Sequence, residues 1–222
     1  MDTETTGFDP ANGDRIVEIG AVEVIDGLRT GREFHKFINP CRNVPQAAVD
    51  VHGLTEEFLR DKPMFDEIVG EFLDFIGDDE LIAHNADFDF KFINAEFAKL
   101  GLPPLAPGRK IDTLEIAKTK FPGSPASLDA LCRRFGISLT ARDKHGALID
   151  SILLADVYLE LSGGRQRTFD LGLQDSGDTS STVQIIARPR RSVKVTAPSE
   201  AELAAHAEMV KNLKNPVWKA AS

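Results

Sequence analysis

The segment LIAHNADFDFKFINAEFAKL, residues 81–100, places a short apolar strand directly before an amphipathic helix. Leu81–Ala83 is an apolar run of strand length, and the apolar residues that follow recur at helical spacing: Phe88, Phe92, Ile93, Phe97 and Leu100. Gly101 ends this pattern, as glycine often does after a helix. A strand that opens into a helix is typical of an α/β sandwich and argues against a helical bundle or a barrel.

The flanking segments continue the alternation of strands and helices. RIVEIGAVEV at residues 15–24 alternates apolar and polar side chains, and residues 33–38 form a second strand pattern, so a hairpin that turns near Asp26-Gly27 is predicted. Further helices are predicted at residues 63–76 (with Pro63 in the first turn), 113–120, 127–135 and 147–161. This order predicts an α/β fold with a mixed central β-sheet flanked by helices.

Length and composition favour one globular domain with an appendage. The chain has 222 residues, of which 42% are apolar, enough for one α/β core but hardly for two. Residues 172–181, GLQDSGDTSS, have the composition of a linker. We therefore expect a domain over residues 1–164, a linker over 165–182 and a flexible C-terminal tail over 183–222.

The tail carries one amphipathic helix, which cannot form a core by itself. Ser199 and Glu202 match a capping box, and apolar residues follow along one face: Leu203, Ala207, Val210 and Leu213. We expect this helix to dock on a partner protein, with Trp218 beside Pro216 as an anchor. The basic residues 188–191 are expected to be solvated or to face that partner, because no aromatic residues are interleaved with them for base stacking.

Charge and cysteine content narrow the class of protein. The net charge is −9, and residues 172–222 hold seven Lys and Arg but only five Asp and Glu, so the acidic excess lies before them. Such a body repels nucleic acid over most of its surface, unlike an autonomous nucleic-acid binder. Cys41 and Cys132 have no metal-ligand spacing. Without a signal peptide or a long apolar run, the sequence predicts a cytoplasmic protein.

Two carboxylates stand near the start of the chain in Asp2-Thr3-Glu4. On a strand, residues i and i+2 point to the same face, so Asp2 and Glu4 can reach one cation. Acidic pairs at this spacing are common and usually solvated, so the pair alone is weak evidence. The turn Thr5-Thr6-Gly7 follows, with backbone N–H groups that can approach a nucleotide closely.

Two further acidic sites follow along the chain. Asp87 and Asp89 lie where strand 81–83 meets its helix, the usual place for ligands in an open α/β sheet. They fall on different faces of a helix, so one is expected to be a ligand, and Asp87 has the alternative role of an N-cap or first-turn acid. His145 and Asp150 lie at the start of helix 147–161, where His145 is suited to accept a proton near neutral pH. A surface histidine before an ordinary helix is the alternative. Together these carboxylates suit Mg²⁺ or Mn²⁺ better than zinc.

Five motifs give the chain a resemblance to a known family. DTETTG at 2–7, VHGLT at 51–55, HNADFDFKF at 84–92, FPGSPASLDALCRRFGI at 121–137 and HGALIDSILLADVYL at 145–159 occur in the family's order. The sequence resembles the DnaQ-like DEDDh 3′→5′ exonucleases, and within them the epsilon proofreading subunits of bacterial DNA polymerase III. The resemblance covers nearly all of residues 1–164 and implies a ribonuclease H-like exonuclease fold.

The resemblance also implies roles for individual residues. Metal ligands are implied at Asp2, Glu4, Asp89 and Asp150, with Asp89 rather than Asp87 because the ligand follows the Phe. His145 is implied as the general base of a two-metal phosphodiester hydrolysis with Mg²⁺ or Mn²⁺. The pocket for the 3′-terminal nucleotide is implied at three positions: Thr5, His52 and Phe88. For His52 the alternative is a histidine in a helix-entry turn, and for Phe88 a core residue.

Substrate and partners follow from the same resemblance. It implies removal of mismatched 3′-terminal nucleotides from single-stranded 3′ ends of DNA. The tail would bind the alpha, or catalytic, subunit of DNA polymerase III, and residues 166–171, QRTFDL, resemble a peptide that binds the beta sliding clamp. That hexapeptide has plain linker as its alternative. A DEDDh exoribonuclease of the RNase T or oligoribonuclease type and a non-catalytic polymerase scaffold are the competing functions.

The first strand departs from the family pattern. Only Met1 precedes Asp2 here, whereas in the family several apolar residues lead into this strand. We expect a misplaced start or a truncated chain, since the missing half removes apolar burial and ladder hydrogen bonds. The terminal amino group would also lie beside the metal ligands, where its positive charge opposes cation binding.

Overall fold

The computed structural model describes residues 1–140, 144–163 and 198–211. The strands are β1 (Asp2–Thr5), β2 (Ile16–Ile25), β3 (Leu28–Phe37), β4 (Leu81–Ala83) and β5 (Lys110–Asp112). The helices are α1 (Gln46–His52), α2 (Glu56–Leu59), α3 (Phe65–Ile76), α4 (Ala86–Lys99), α5 (Thr113–Lys120), α6 (Leu128–Phe135), α7 (Ala147–Leu161) and α8 (Glu200–Lys211). Two 3₁₀ turns, Pro10–Asn12 and Pro107–Arg109, lie between them. The predicted mixed α/β architecture is confirmed.

The predicted hairpin between β2 and β3 is confirmed, and its turn lies at Asp26-Gly27. Both turn residues have positive φ, 51° for Asp26 and 76° for Gly27, as a two-residue hairpin turn that follows the strand twist requires. Ile25 pairs with Leu28 directly across the turn. The register of the longest pair of strands is therefore set locally.

The five described strands form a three-stranded sheet in the order β1-β2-β3 and a two-stranded sheet of β4 and β5. β1 pairs with β2 antiparallel, and β4 pairs with β5 parallel. The Met1 amino group donates a hydrogen bond of 2.7 Å to the Ile82 carbonyl oxygen, and this bond links β1 to β4. The four-residue β1 thus lies between the long hairpin and the parallel pair.

Helices cover both faces of the sheet. Ile19 and Ala21 of β2 belong to the larger core, which α3 and α4 complete with three fully buried phenylalanines: Phe72, Phe92 and Phe97. The other core joins α5, α6 and α7 through six buried side chains: Ala117, Leu131, Cys132, Leu153, Val157 and Leu161. Side chains alternate between faces along a strand, so β2 presents Ile19 to α3 and α4 and Gly20 to the opposite side.

Two helix starts differ from the prediction. Pro63 does not lie in the first turn of α3, because Met64 is the N-cap and its N–H donates to the Glu67 carboxylate at 2.7 Å. The helix predicted from residue 88 begins at Ala86, since the Asp112 carboxylate accepts hydrogen bonds of 3.0 Å from the N–H groups of Asn85 and Ala86. A residue from β5 therefore caps α4.

The chain divides into two units, Met1–Gly172 and Leu173–Ser222, and α8 belongs to the second. The predicted capping box is confirmed, with Ser199 N–H donating to the Glu202 carboxylate at 2.8 Å and Glu202 N–H to Ser199 Oγ at 3.3 Å. The predictions for residues 166–171, 188–191, Leu213, Pro216 and Trp218 lie outside the described residues. Within the described ranges, no helix is long and apolar enough to cross a membrane.

Candidate active site

The first two candidate ligands lie on β1. Register with β2 places Asp2 opposite Gly20 and Glu4 opposite Glu18, with an irregularity after Glu4. Residues two apart on a strand share a face, so Asp2 and Glu4 leave β1 on the side that Gly20 occupies. The side chain of Thr3 leaves on the other side.

Asp87 and Asp89 both lie in the first turn of α4, but their side chains lie in different surroundings. Asp89 is 2% exposed, and its Oδ1 accepts a hydrogen bond of 2.8 Å from Thr3 Oγ1. Asp87 is exposed and forms an ion pair with Lys110 of β5. The helix therefore turns Asp89 toward β1 and leaves Asp87 as a first-turn acid at the surface.

His145 and Asp150 meet at the start of α7. His145 Nδ1 lies 3.2 Å from Asp150 Oδ2, and the His145 N–H donates to the Val51 carbonyl oxygen at 3.3 Å. Glu4, His145 and Asp150 each offer one ligand atom within 4.8 Å of the others. The half-exposed imidazole thus lies between solvent and two buried carboxylates.

α7 contacts the sheet at Gly20. A Cβ atom on Gly20 would lie 2.2 Å from the Ala147 carbonyl carbon and 2.3 Å from the Leu148 nitrogen. Ser151 Oγ donates a buried hydrogen bond of 2.8 Å to the Gly20 carbonyl oxygen. Because Gly20 pairs with Asp2, this close approach sets Asp150 against the carboxylates of β1.

The carboxylates affect one another electrostatically. Burial raises the pKa of Asp2 well above its usual value, and the charges of Asp89, Glu4 and Asp150 raise it further. Burial also raises the pKa of Asp89 to about 6, against the opposing effect of the Thr3 hydroxyl. Asp2 therefore lies close enough to the other three carboxylates to be repelled by each of them. A hard divalent cation relieves such repulsion, so the donor set fits a metal site.

The terminal amino group lies beside this cluster, as expected from the sequence. Burial lowers the pKa of the Met1 amino group, and the carboxylates of Asp2 and Asp89 oppose that shift. Its positive charge in turn favours the ionised form of Asp89.

Comparison with known proteins places this arrangement in a family. The RNase_T exonuclease family matches residues 1–158. The DNA polymerase III subunit epsilon of Rickettsia felis is 46% identical over 218 residues, with 96% of this chain and 95% of the relative covered. The subunit of the same name from Escherichia coli K12 is 41% identical, with 93% and 88% covered.

This chain belongs to the exonuclease family. The predicted membership of the DnaQ-like DEDDh exonucleases is thereby confirmed, and with it a metal-dependent nuclease. Exonuclease X, solved in complex with 5′ overhanging duplex DNA, is 29% identical with a TM-score of 0.58 over 72% of this chain and 87% of that chain. The nuclease domain of 3′hExo, a DEDDh family member bound to rAMP, is 17% identical with a TM-score of 0.57 over 75% and 92%, and it supports the fold alone.

The three residues predicted to bind substrate lie in different surroundings in this exonuclease. Thr5 Oγ1 donates to the Gly7 carbonyl oxygen at 2.6 Å, which closes the turn after β1. His52 is the last residue of α1, and its Nδ1 accepts from the Leu54 N–H at 3.0 Å. Burial lowers the pKa of His52, which favours the neutral ring. Its other ring nitrogen, Nε2, is buried and has no hydrogen-bond partner among the described residues.

Phe88 is half-buried, and its contacts fit the alternative role of a core residue. It packs against the larger core, with its ring centroid 4.9 Å from that of Phe92. Asp89, the residue directly after Phe88, is buried, and its charge acts on Asp2. The substrate-binding roles of Thr5, His52 and Phe88 stay predictions.

The residues that hold the site together were not predicted from the sequence. Asp112 accepts from Asn85, Ala86 and Leu114 N–H groups and so caps both α4 and α5. Its place directly before a predicted helix was an available N-cap signal. Gly20 also carried a signal, because an isolated glycine in a strand pattern indicates close backbone approach. No local pattern marks the contact of Thr3 with Asp89.

Proposed function

We propose that this chain removes mismatched 3′-terminal nucleotides from DNA, 3′→5′, as the proofreading subunit of a replicative DNA polymerase. One observation carries the proposal: Glu4 of β1 and Asp150 of α7 cluster with the half-exposed His145, and the charges of Asp89, Glu4 and Asp150 all act on Asp2. The curated relatives named DNA polymerase III subunit epsilon, aligned over most of both chains, support the substrate and the setting.

The proposed cofactors are two Mg²⁺ or Mn²⁺ ions held by Asp2, Glu4, Asp89 and Asp150. All the ligands are carboxylates, which hard oxygen-seeking cations prefer, and the described cysteines lie elsewhere in the fold. Bound there, divalent cations supply an acidified water and stabilise the leaving 3′-oxygen.

His145 is proposed as the general base. With Nδ1–H donated to the Asp150 carboxylate, the neutral ring carries its basic nitrogen at Nε2, which accepts the proton of the attacking water. The carboxylate of Asp150 then orients the ring and stabilises the imidazolium that forms. Hydrolysis breaks the terminal phosphodiester bond and releases one nucleoside monophosphate in each cycle.

Thr5, His52 and Phe88 are proposed to line the pocket for the terminal nucleotide. The hydroxyl of Thr5 closes the turn after β1, so backbone N–H groups of the turn are presented to the sugar and phosphate. The partly exposed Phe88 ring provides an apolar surface next to Asp89. Together they would hold an unpaired 3′ end against the carboxylates.

The proposed domain arrangement comprises the exonuclease domain at residues 1–164, a linker at 165–182 and a docking tail at 183–222. The tail is proposed to bind the alpha subunit of the polymerase, and residues 166–171 the beta sliding clamp, in the cytoplasm. Exposed Leu203 and Met209 on the capped helix α8 support a docking role. The acidic charge of the chain supports delivery to DNA by such partners rather than by direct affinity.

The competing functions have less support. The 3′-exonuclease solved with a histone mRNA stem-loop is 18% identical to this chain and supports the fold alone. A non-catalytic scaffold has no need of a carboxylate at Asp2 that three others repel, since such clustering costs stability in the absence of a cation.

A 3′-exonuclease assay tests the proposal. The substrates are 5′-labelled DNA primers with a paired or a mismatched 3′ end and an RNA oligomer of the same sequence, each with Mg²⁺ or with EDTA. We expect Mg²⁺-dependent release of single nucleotides, fastest from the mismatched DNA primer. Faster digestion of the RNA would support the exoribonuclease, and no digestion would support the scaffold.

A further inference from the structure

Thr3 separates the two carboxylates of β1 but faces the other side of the sheet. Its Oγ1 donates a hydrogen bond of 2.8 Å to Oδ1 of Asp89, a residue 86 positions away in sequence. Thr3 is 5% exposed and Asp89 is 2% exposed. A hydroxyl–carboxylate bond in such a buried place is a strong directional constraint, because its partner is charged.

The backbone and the side chain of Asp89 are held by different residues. Asp112 accepts from the N–H groups of Asn85 and Ala86 and so sets the position of the first turn of α4. That cap leaves the last side-chain torsion of Asp89 free, and this torsion between sp³ and sp² atoms has a broad energy well. The bond from the Thr3 hydroxyl, together with backbone N–H groups of Thr3 and Asp89 that act on the same carboxylate, selects one orientation of it.

We propose that Thr3 is a positioning residue, which holds Oδ1 of Asp89 so that Oδ2 is presented to a divalent cation shared with Asp2 and Glu4. The inference rests on the proposed metal site. A carboxylate that is fixed before the cation arrives binds it more tightly, since less rotational freedom is lost on binding.

If Thr3 has only a structural role, the shape of its side chain matters and its hydroxyl does not. Strands favour β-branched residues, and Val has the same shape as Thr without the hydroxyl. If Thr3 only fills space next to Ile19, its pairing partner in β2, then Val serves as well as Thr. If Thr3 orients Asp89, then Ser serves better than Val, although Ser is smaller and not β-branched.

The test compares Thr3→Val and Thr3→Ser in the full chain. Mn²⁺ binding is measured by calorimetry without substrate, and nuclease activity is measured against Mg²⁺ concentration. We expect Thr3→Val to weaken Mn²⁺ binding about tenfold and to shift Mg²⁺ activation to higher concentration. Thr3→Ser should stay within about threefold of the unmodified chain. Equal Mn²⁺ affinity in Thr3→Val and the unmodified chain would overturn the inference.

Thr113→Val is the matched control. Thr113 is fully buried, and its Oγ1 donates to the Ala83 carbonyl oxygen at 3.2 Å and lies 2.9 Å from His84 Nδ1. This variant therefore loses a buried hydroxyl whose partners are not site carboxylates. Its Mn²⁺ affinity should not change. If Thr3→Val does not fold, as judged by circular dichroism, Thr3→Ala against Thr3→Ser gives the same comparison. An unmodified chain that binds no Mn²⁺ and digests no DNA refutes the proposed function, whereas binding unchanged by Thr3→Val refutes only the role of Thr3.

Discussion

The two helices that bring carboxylates to β1 are held in different ways. α7 rests on β2 by direct backbone contact at Gly20, where no side chain can intervene. α4 is held by polar groups from two strands, the carboxylate of Asp112 and the hydroxyl of Thr3. The α7 side of the site is therefore set by close backbone packing with one hydrogen bond from Ser151, and the start of α4 by hydrogen bonds from two strands. A substitution on the first side should displace a whole helix, whereas one on the second should disturb a single end of a helix or a single carboxylate.

The largest expected effect on the 3′-exonuclease rate comes from removing a carboxylate on either side of the site. Asp150→Ala on α7 and Asp89→Ala on α4 should each lower the 3′-exonuclease rate by about a thousandfold or more, because neither side completes the metal site alone. Asp2→Ala and His145→Ala should abolish activity while the far-ultraviolet circular dichroism spectrum is retained.

Asp87→Ala is the matched control for Asp89→Ala. Asp87 lies two residues away on the exposed side of the same helix and pairs with Lys110. Its replacement should change the rate less than about threefold, as expected for an exposed ion pair. If Asp89→Ala keeps a rate close to that of Asp87→Ala, the assignment of the third carboxylate is wrong.

Next in size is the effect of adding one methyl group under α7. In Gly20→Ala the new Cβ would meet backbone atoms of Ala147 and Leu148 at about 2 Å, which a flexible side chain cannot relieve. We expect a loss of about 3 kcal/mol or more in the free energy of unfolding, measured in urea, and a drop in activity of about a hundredfold.

Gly70→Ala provides the comparison for that substitution. A Cβ on Gly70, within α3, meets no atom within 4 Å, so this variant should be as stable as the unmodified chain or more stable by up to about 1 kcal/mol. A Gly20→Ala protein with unchanged stability and activity would show that the contact between α7 and β2 does not set the position of Asp150.

A smaller effect is expected from the polar cap on the α4 side. Asp112→Ala leaves three N–H groups without their acceptor, and the loss of two helix caps should cost about 2–3 kcal/mol of unfolding free energy. Activity should fall about tenfold through misplacement of Asp89. Asp112→Asn keeps one acceptor oxygen, so its stability and activity should lie between those of Asp112→Ala and the unmodified chain. An Asp112→Ala protein that loses stability but no activity would show that the cap does not set the position of Asp89.

The smallest effect is a dependence of stability on pH. Burial raises the pKa of Asp89 to about 6 in the folded chain, so the folded state binds this proton more tightly than the unfolded state. The stabilisation of the folded state by this tighter-bound proton is fully present below the unfolded pKa of roughly 3.9. It is lost as pH rises through the folded pKa of about 6.

Asp89→Asn removes that dependence. Without metal, the variant should exceed the unmodified chain in unfolding free energy by on the order of 2 kcal/mol at pH 7.5, and by less at pH 4.5. Mn²⁺ should stabilise the unmodified chain at pH 7.5 and not the variant. An equal response of both proteins to pH would mean that Asp89 is not the group that titrates.

Much of the fold followed from periodicity, but the contacts that build the site did not. The hairpin, β4 and the helices α3 to α7 have clear apolar patterns, whereas the three residues of β5, Lys-Ile-Asp, are too few and too polar to stand out. The short helices α1 and α2 were missed for the same reason. Asp89 was separated from Asp87 by family resemblance, since the sequence does not reveal which face of α4 meets β1. The Thr3–Asp89 bond and the Gly20–α7 contact join residues 86 and more than 120 positions apart, and only the folded chain brings them together.

The central claim is that carboxylates from β1, α4 and α7 form one site for divalent cations. Calorimetric titration of Mn²⁺ into the full chain at pH 7.5, in the presence of a nucleoside 5′-monophosphate, tests it most directly. The account predicts saturable binding of two ions per chain, and loss of that binding in Asp2→Asn, which preserves the shape of the side chain. Absence of binding at millimolar Mn²⁺, or the same binding in Asp2→Asn, would contradict it.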